Sequence, residues 1–212
     1  MRFKFLSSAA LIVATLAGSL CHGMDQKYGE LIPALDGALW EKSEWISAAD
    51  APVITGKIVG GNERAADGAS WFVCDPVNAK KVVSAKWMTT GLGVYRLYVN
   101  GKEIGEEILK PGFTHYGKTK VSFTYDITDV FVCKKGASNR LAVQSTPGWW
   151  ADKIVTPPNN EGMIGKKPAF RGVLELCYSD GRKESFGTNC KDWKAGIAGP
   201  VTHAAIFDGE EY

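Results

Sequence analysis

The feature that most constrains this chain is a period of two in its apolar residues. Tyr95, Leu97 and Val99 alternate with polar or outward positions, and so do Val121, Phe123, Tyr125 and Ile127. Leu141 and Val143 repeat the pattern, as do Leu174, Leu176 and Tyr178. A chain that returns an apolar side chain to the same side at every second residue is a β-strand with one buried face. A further strand is expected from Val82 and Val83 to Trp87, and β structure is expected from Trp71 onward. Between the runs stand turn formers: Asn100-Gly101, and Ser179-Asp180-Gly181-Arg182, where Asp-Gly suits the positive φ of a hairpin turn. Helical periodicity is nearly absent. One helix-like stretch, near Ala49 to Ala51, stops at Pro52. There is no internal repeat. Many short strands with glycine-rich turns predict an all-β, jelly-roll-like antiparallel β-sandwich forming a single domain. That domain opens near Trp40, with Trp45 and Ile46 as its first apolar anchors, and runs over 40–212. Residues 24–39 form a lead-in segment. Residues 145–169, with Thr146-Pro147-Gly148 and Pro157-Pro158-Asn159-Asn160, read as a long irregular loop, which in a compact domain is often functional.

The first residues are of a different kind. Arg2 and Lys4 precede an apolar run from Phe5 to Leu20, the pattern of a secretory signal peptide over 1–23, cut after Ser19 or Gly23. Leu20 occupies the position where a lipoprotein signal wants a small residue, which argues against lipidation at Cys21. The expected location is therefore periplasmic or extracellular. Cleavage removes two basic residues and no acidic one, leaving 23 of each sign. A chain so balanced lacks the basic footprint of a nucleic-acid binder. Cleavage after Gly23 leaves Cys74, Cys133, Cys177 and Cys190. An oxidising compartment permits disulfides in any of three pairings, and small buried thiols are the alternative. No CxxC spacing suggests a zinc site.

Three motifs resemble active sites but stand in the wrong context. Gly112 to Thr119 fits GxxxxGK[ST] letter for letter, yet Pro111 precedes it and a period-two run follows where a phosphate-binding loop needs a helix. No nucleotide partner is expected. Lys57 followed by Ile58-Val59-Gly60-Gly61 resembles a serine-protease activation site, but His115 and His203 are the only histidines after the leader and no glycine-framed serine accompanies them. Asp126, Asp129, Glu175 and Asp180 offer carboxylates, but nothing sets two of them across a cleft, and Asp126 and Asp129 around Thr128 read as turn caps.

Gly93-Val94-Tyr95-Arg96-Leu97-Tyr98-Val99-Asn100-Gly101-Lys102-Glu103-Ile104-Gly105 resembles the opening hairpin of the bacterial α-L-rhamnosidase N-terminal domain. An ordered series of further matches follows: Leu109 to Tyr116, Tyr125-Asp126-Ile127-Thr128, Gly136 and Asn139 before Leu141-Ala142-Val143, and Gly148-Trp149-Trp150. Tyr178-Ser179-Asp180-Gly181, Trp193, Gly199-Pro200 and Asp208 to Tyr212 are similar to the family's closing pattern. The resemblance covers Trp40 to Tyr212. Lys110 replaces the usual acidic or polar residue before Pro-Gly, Phe113 the usual Trp, Pro147 an acid before Gly-Trp, and Asn189 the Asp after Thr188. Ligand contacts resting on those residues are not inherited.

The resemblance implies a module of a glycoside hydrolase system. Family enzymes continue beyond the equivalent of Tyr212 into an (α/α)6 barrel that carries the catalytic acids, so no catalytic residue can be carried over and none is expected in these 212 residues. It implies a non-catalytic accessory or carbohydrate-recognition role, with rhamnose-containing glycans as ligand. The alternative is a structural module that braces a rhamnosidase catalytic domain. Aromatic side chains stack on sugar rings, which makes Trp149 and Trp150 the first candidates. In extended backbone they would point to opposite sides, leaving one free to form a platform; as packing or interdomain residues they would bind nothing. Tyr116 and Asn100 are weaker candidates, and Asn100 also suits a turn. No cofactor is expected. Some related rhamnose-binding modules hold the sugar through calcium, for which no site can be mapped onto this sequence.

Overall fold

A computed structural model describes residues 35–48, 69–151, 165 and 167–198, with the backbone of 201–202 and 206–207. The leader with Cys21, the stretch from Ala49 through the Ile58-Gly61 motif, His203, and the closing Gly199-Pro200 and Asp208 to Tyr212 lie outside the described residues.

Eleven strands are formed among the described residues: β1 Ala69–Cys74, β2 Val82–Leu92, β3 Val94–Val99, β4 Lys102–Ile104, β5 Phe123–Asp126, β6 Leu141–Thr146, β7 Ala169–Tyr178, β8 Lys183–Gly187, β9 Lys194–Ala198, β10 Val201–Thr202 and β11 Ile206–Phe207. They make a five-stranded sheet in the order β4-β3-β6-β1-β9 and a four-stranded sheet in the order β5-β2-β7-β8, with β10 and β11 paired separately. Every ladder is antiparallel. The chain alternates between the sheets, with β1 in one, β2 in the other and β3 back in the first. This winding makes the all-β, jelly-roll-like sandwich.

The alternating residues meet between the sheets. Phe72, Leu97, Val99, Leu141 and Val143 from the larger sheet pack against Ala85, Trp87, Phe170, Leu174, Leu176 and Tyr178 from the smaller. Trp87 and Phe170 meet edge to face, their centroids 6.1 Å apart, and Phe170 stacks on Phe72 across the sandwich. Trp71 does not join this core. It lies half-buried on the outer face, its ring 5.7 Å from that of Tyr98.

Some strands run further than hydropathy alternation indicates. β2 continues past Trp87 through Met88, Thr89, Thr90 and Gly91, because both sheet faces are buried there and the polar-out positions vanish. The segment expected as a loop over 145–169 is shorter: Ser145 and Thr146 belong to β6, and Ala169 opens β7. Residues 152–164 of it lie outside the described residues.

The two predicted turns differ in kind. Asn100 and Gly101 both have positive φ, 52° and 84°, in a two-residue loop between paired Val99 and Lys102. In the second turn only Gly181 has positive φ, 80°. Gly181 N donates to Tyr178 O and Tyr178 N to Arg182 O, both at 2.9 Å, so the loop is three residues closed by a glycine bulge. Asp180 instead accepts from Lys80 and Arg182.

Before β1 the chain forms a 3-10 helix, Gly37–Lys42, capped by Asp36, which crosses the expected domain start near Trp40. The following residues are bonded to the smaller sheet. Glu44 N donates to Thr188 O, while Ile46 and Phe170 exchange both backbone bonds at 2.9 Å. The fit is close: a Cβ on Gly187 would fall 1.9 Å from Lys42 O.

Candidate functional site

This seating of residues 40–46 against β7 and β8 forms a cleft of about 280 Å³ on the smaller sheet, lined by Trp40, Trp45, Thr90, Lys120, Ser122 and Arg171. Its floor follows from strand register. Thr90 of β2 pairs directly with Arg171 of β7, and both point away from the core. Thr90 Oγ1 donates to Val121 O at 2.7 Å, which ties the backbone leading to Ser122 against the sheet. Lys120 Nζ donates to Tyr116 O at 3.0 Å.

Arg171 organises the wall. Its Nε donates to Ser43 Oγ and its Nη2 to Ser43 O, both at 2.9 Å, and Nη2 also donates to Trp40 O. The guanidinium lies 5.4 Å from the Trp40 ring centroid, within cation–π range. These contacts fix Trp40, which is half-buried and therefore offers ring surface to solvent. Trp45 is half-buried as well. The cleft thus joins two indoles, two hydroxyls and two cationic donors.

The sequence-predicted residues lie elsewhere. Trp149 and Trp150 are on a single helical turn, α1 (Gly148–Ala151), not on extended backbone. Their side chains consequently diverge by about 100° and not by a half-turn. Gly148, at φ 47°, permits the turn where the chain passes over Val94. Trp150 is engaged in packing: Nε1 donates to Lys167 O at 2.8 Å, Gly165 lies against the indole, and Tyr116 meets it edge to face at 5.4 Å. Tyr116 is buried, donates to Gly112 O at 3.1 Å and touches the exposed Phe113. Trp149 is half-buried beside them.

Asn100 stands apart, at the other end of β3 from Val94 and so roughly 20 Å from α1. Its side chain is occupied. Nδ2 donates to Val130 O and Asn139 Oδ1, and Oδ1 accepts from Arg140 N, each at 2.9 Å. The fully buried Asn139 extends this network to Val132 N and Asn78. The structure therefore brings Trp150 and Tyr116 together, places Trp149 next to Trp150 on α1, and leaves Asn100 out.

The cleft residues escaped sequence reasoning for identifiable reasons. Trp45 reads as an apolar anchor and Trp40 as the point where the domain opens; the available signal was that neither belongs to an alternating run. Arg171 and Thr90 face each other only through the β2–β7 register, at a sequence separation no motif spans.

Other features of the sequence have structural roles. Asp126 Oδ1 accepts from Thr128 N and Oγ1, Glu175 pairs with Lys183, and the stretch after Thr119 leads into β5 and not a helix. Cys74, Cys133, Cys177 and Cys190 are free thiols, and burial pushes Cys74 up to about 11. A wider cleft of about 570 Å³ contains Asp75 and Asp192, but Arg140 grips Asp75 with two bonds and Asn189 donates to Asp192. Among the described residues no three His, Cys, Asp or Glu side chains stand together as metal ligands.

Winding and sheet order define an antiparallel β-sandwich module. Similar folds occur in the crystal structure of native α-L-rhamnosidase from Aspergillus terreus (TM-score 0.65, 24% identity, 80% of this chain and 18% of that one). The Streptomyces avermitilis α-L-rhamnosidase complexed with L-rhamnose aligns at TM-score 0.54 and 32% identity, over 64% of this chain and 13% of that one. The Alpha-L-rhamnosidase N-terminal domain profile matches residues 80–212, and the chain belongs to that family. Among curated proteins it is 36% identical over 138 residues to α-L-rhamnosidase of Streptomyces avermitilis and 34% identical over 134 residues to that of Alteromonas sp.. Each alignment covers 63% of this chain, but only 12% and 14% of those enzymes.

Proposed function

We propose that this chain is an exported, non-catalytic carbohydrate-recognition module of an α-L-rhamnosidase-type glycoside hydrolase system, and that it takes a sugar of a rhamnose-containing glycan in the Trp40–Trp45 cleft. The observation that carries this reading is the pairing of two half-buried indoles with Thr90, Ser122, Lys120 and Arg171 around about 280 Å³. Small-molecule sites typically run from roughly 300 Å³ upward, so a cleft of this size suits a single ring. The C–H face of a sugar stacks on an indole, while its hydroxyls need donors and acceptors at the rim. Family membership supports the same reading, because the relatives are glycoside hydrolases that the chain matches only in part.

Calorimetric titration of the purified module with L-rhamnose tests it. Saturable heat is expected, equal with and without calcium, together with no turnover of a nitrophenyl rhamnoside. Silence in both titrations would sink binding of that sugar, and clear turnover would refute the non-catalytic assignment.

A bracing role is favoured by one observation. Ile108, Leu109 and Phe113 stand exposed on the β4–β5 connection, at 88%, 44% and 61%. If that patch docks a rhamnosidase catalytic domain, the module will be retained by such a domain supplied separately, and the double substitution I108S/F113S will abolish retention.

A further inference from the structure

We propose that the saccharide taken by the Trp40–Trp45 cleft is anionic, carrying a carboxylate or a sulfate ester between Arg171 and Lys120; this rests on the cleft being a sugar site. The basis is a charge left unmatched. Arg96, Arg140 and Arg182 each have a carboxylate partner, Glu103, Asp75 and Asp180 respectively, at 2.7–2.9 Å. Arg171 is the one arginine among the described residues without such a partner, and it is the arginine in the cleft.

Among the described residues its hydrogen bonds go to neutral oxygens only, those of Trp40 and Ser43. They use Nε and Nη2 and hold the guanidinium rigid, leaving Nη1 without a protein hydrogen bond among the described residues. Lys120, on the same cleft, likewise donates to a carbonyl, Tyr116 O, and pairs with no carboxylate among the described residues. Both cations flank the indoles. A neutral sugar would satisfy hydroxyl geometry there but leave two positive charges with no carboxylate partner among the described residues. An anionic group on the ring would receive charge-assisted hydrogen bonds from a donor already immobilised, so little side-chain entropy is lost.

Three ligands that share one ring separate the charge from the sugar: D-galactose, D-galacturonate and D-galactose 6-sulfate, titrated calorimetrically beside L-rhamnose. At low salt one or both anions are expected to bind about tenfold more tightly than galactose, and which one does so identifies the anionic group. Raising sodium chloride to 500 mM is expected to shrink the preference to a few-fold, since a partly exposed pair is screened. Lys120→Met is expected to shrink it similarly at low salt; Lys120 is exposed and its loss leaves the Arg171 seat intact. Equal affinity for the three galactose ligands, or binding of L-rhamnose alone, would overturn the anionic inference and leave the sugar site standing. No binding of any of the four would overturn both.

Discussion

Lys110 carries an ammonium into the core with its side chain 1% exposed. Its Nζ donates to Ile104 O at 2.9 Å, lies 3.4 Å from Tyr125 Oη and 3.5 Å from Glu107 Oε2, and sits 4.9 Å from the Tyr125 ring centroid. Burial lowers its pKa below the usual lysine range, and Glu107 opposes that shift. In sequence Lys110 is a departure from the family pattern at a position that suggested a ligand contact; in structure it is an internal tie between the β4–β5 connection and β5. Lys110→Met removes the donor and leaves Ile104 O buried, so it should cost about 2 kcal/mol. A lower denaturant midpoint checks this, and an unchanged midpoint would mean the ammonium contributes nothing. Cys74 gives a second residue-scale test. Its thiol is pushed to about 11 by burial, with Asp192 and Asp75 adding to the shift, so roughly 0.1% is thiolate at pH 8. Iodoacetamide should label the exposed Cys190 long before Cys74, as peptide mass analysis will show. The folded protein also keeps this proton where the unfolded chain has lost it, so the stability it contributes is present below pH 9 and is lost between 9 and about 11.

At the scale of elements, the cleft depends on how residues 40–46 lie against the β7–β8 sheet. Gly187 makes that approach possible, since any Cβ there would collide with the backbone of Lys42 and Ser43. Gly187→Ala should therefore displace the segment, at a cost of about 1–3 kcal/mol. A fall in melting temperature of several degrees and weakened saccharide binding are expected together. A stable variant with full binding would show that the segment does not shape the site. This dependence also explains what could be read from sequence. The cores of β3, β6 and β7 were legible because each has one apolar and one polar face, and the Asn100-Gly101 loop because only residues tolerant of positive φ fit it. β9 was not legible: Lys194 to Ala198 is mostly exposed, a ladder edge with hardly an apolar face. α1 was not legible either, because a four-residue helical turn has no periodicity to detect. The cleft is assembled from residues more than a hundred positions apart, so its parts were visible and their meeting was not.

For the whole molecule, the family places a sandwich of this kind in rhamnosidases, and the chain aligns to about an eighth of the curated enzymes it matches. Fold and lineage follow from residues distributed through both sheets. The proposed sugar recognition rests on a few residues on one outer face. The chain has seven tryptophans, and their indole N–H resonances report separately on each environment. Following those resonances by NMR during L-rhamnose and D-galacturonate titrations, with Trp40→Phe, Trp45→Ala, Trp149→Ala and Trp150→Phe providing assignments, decides whether sugar is taken at the Trp40–Trp45 cleft. Saturable shifts at Trp40 and Trp45, with the Trp40 shift lost in Trp45→Ala and both shifts unaffected in Trp149→Ala, are the predicted result. Shifts confined to Trp149 and Trp150, or no shift with either sugar, would contradict it.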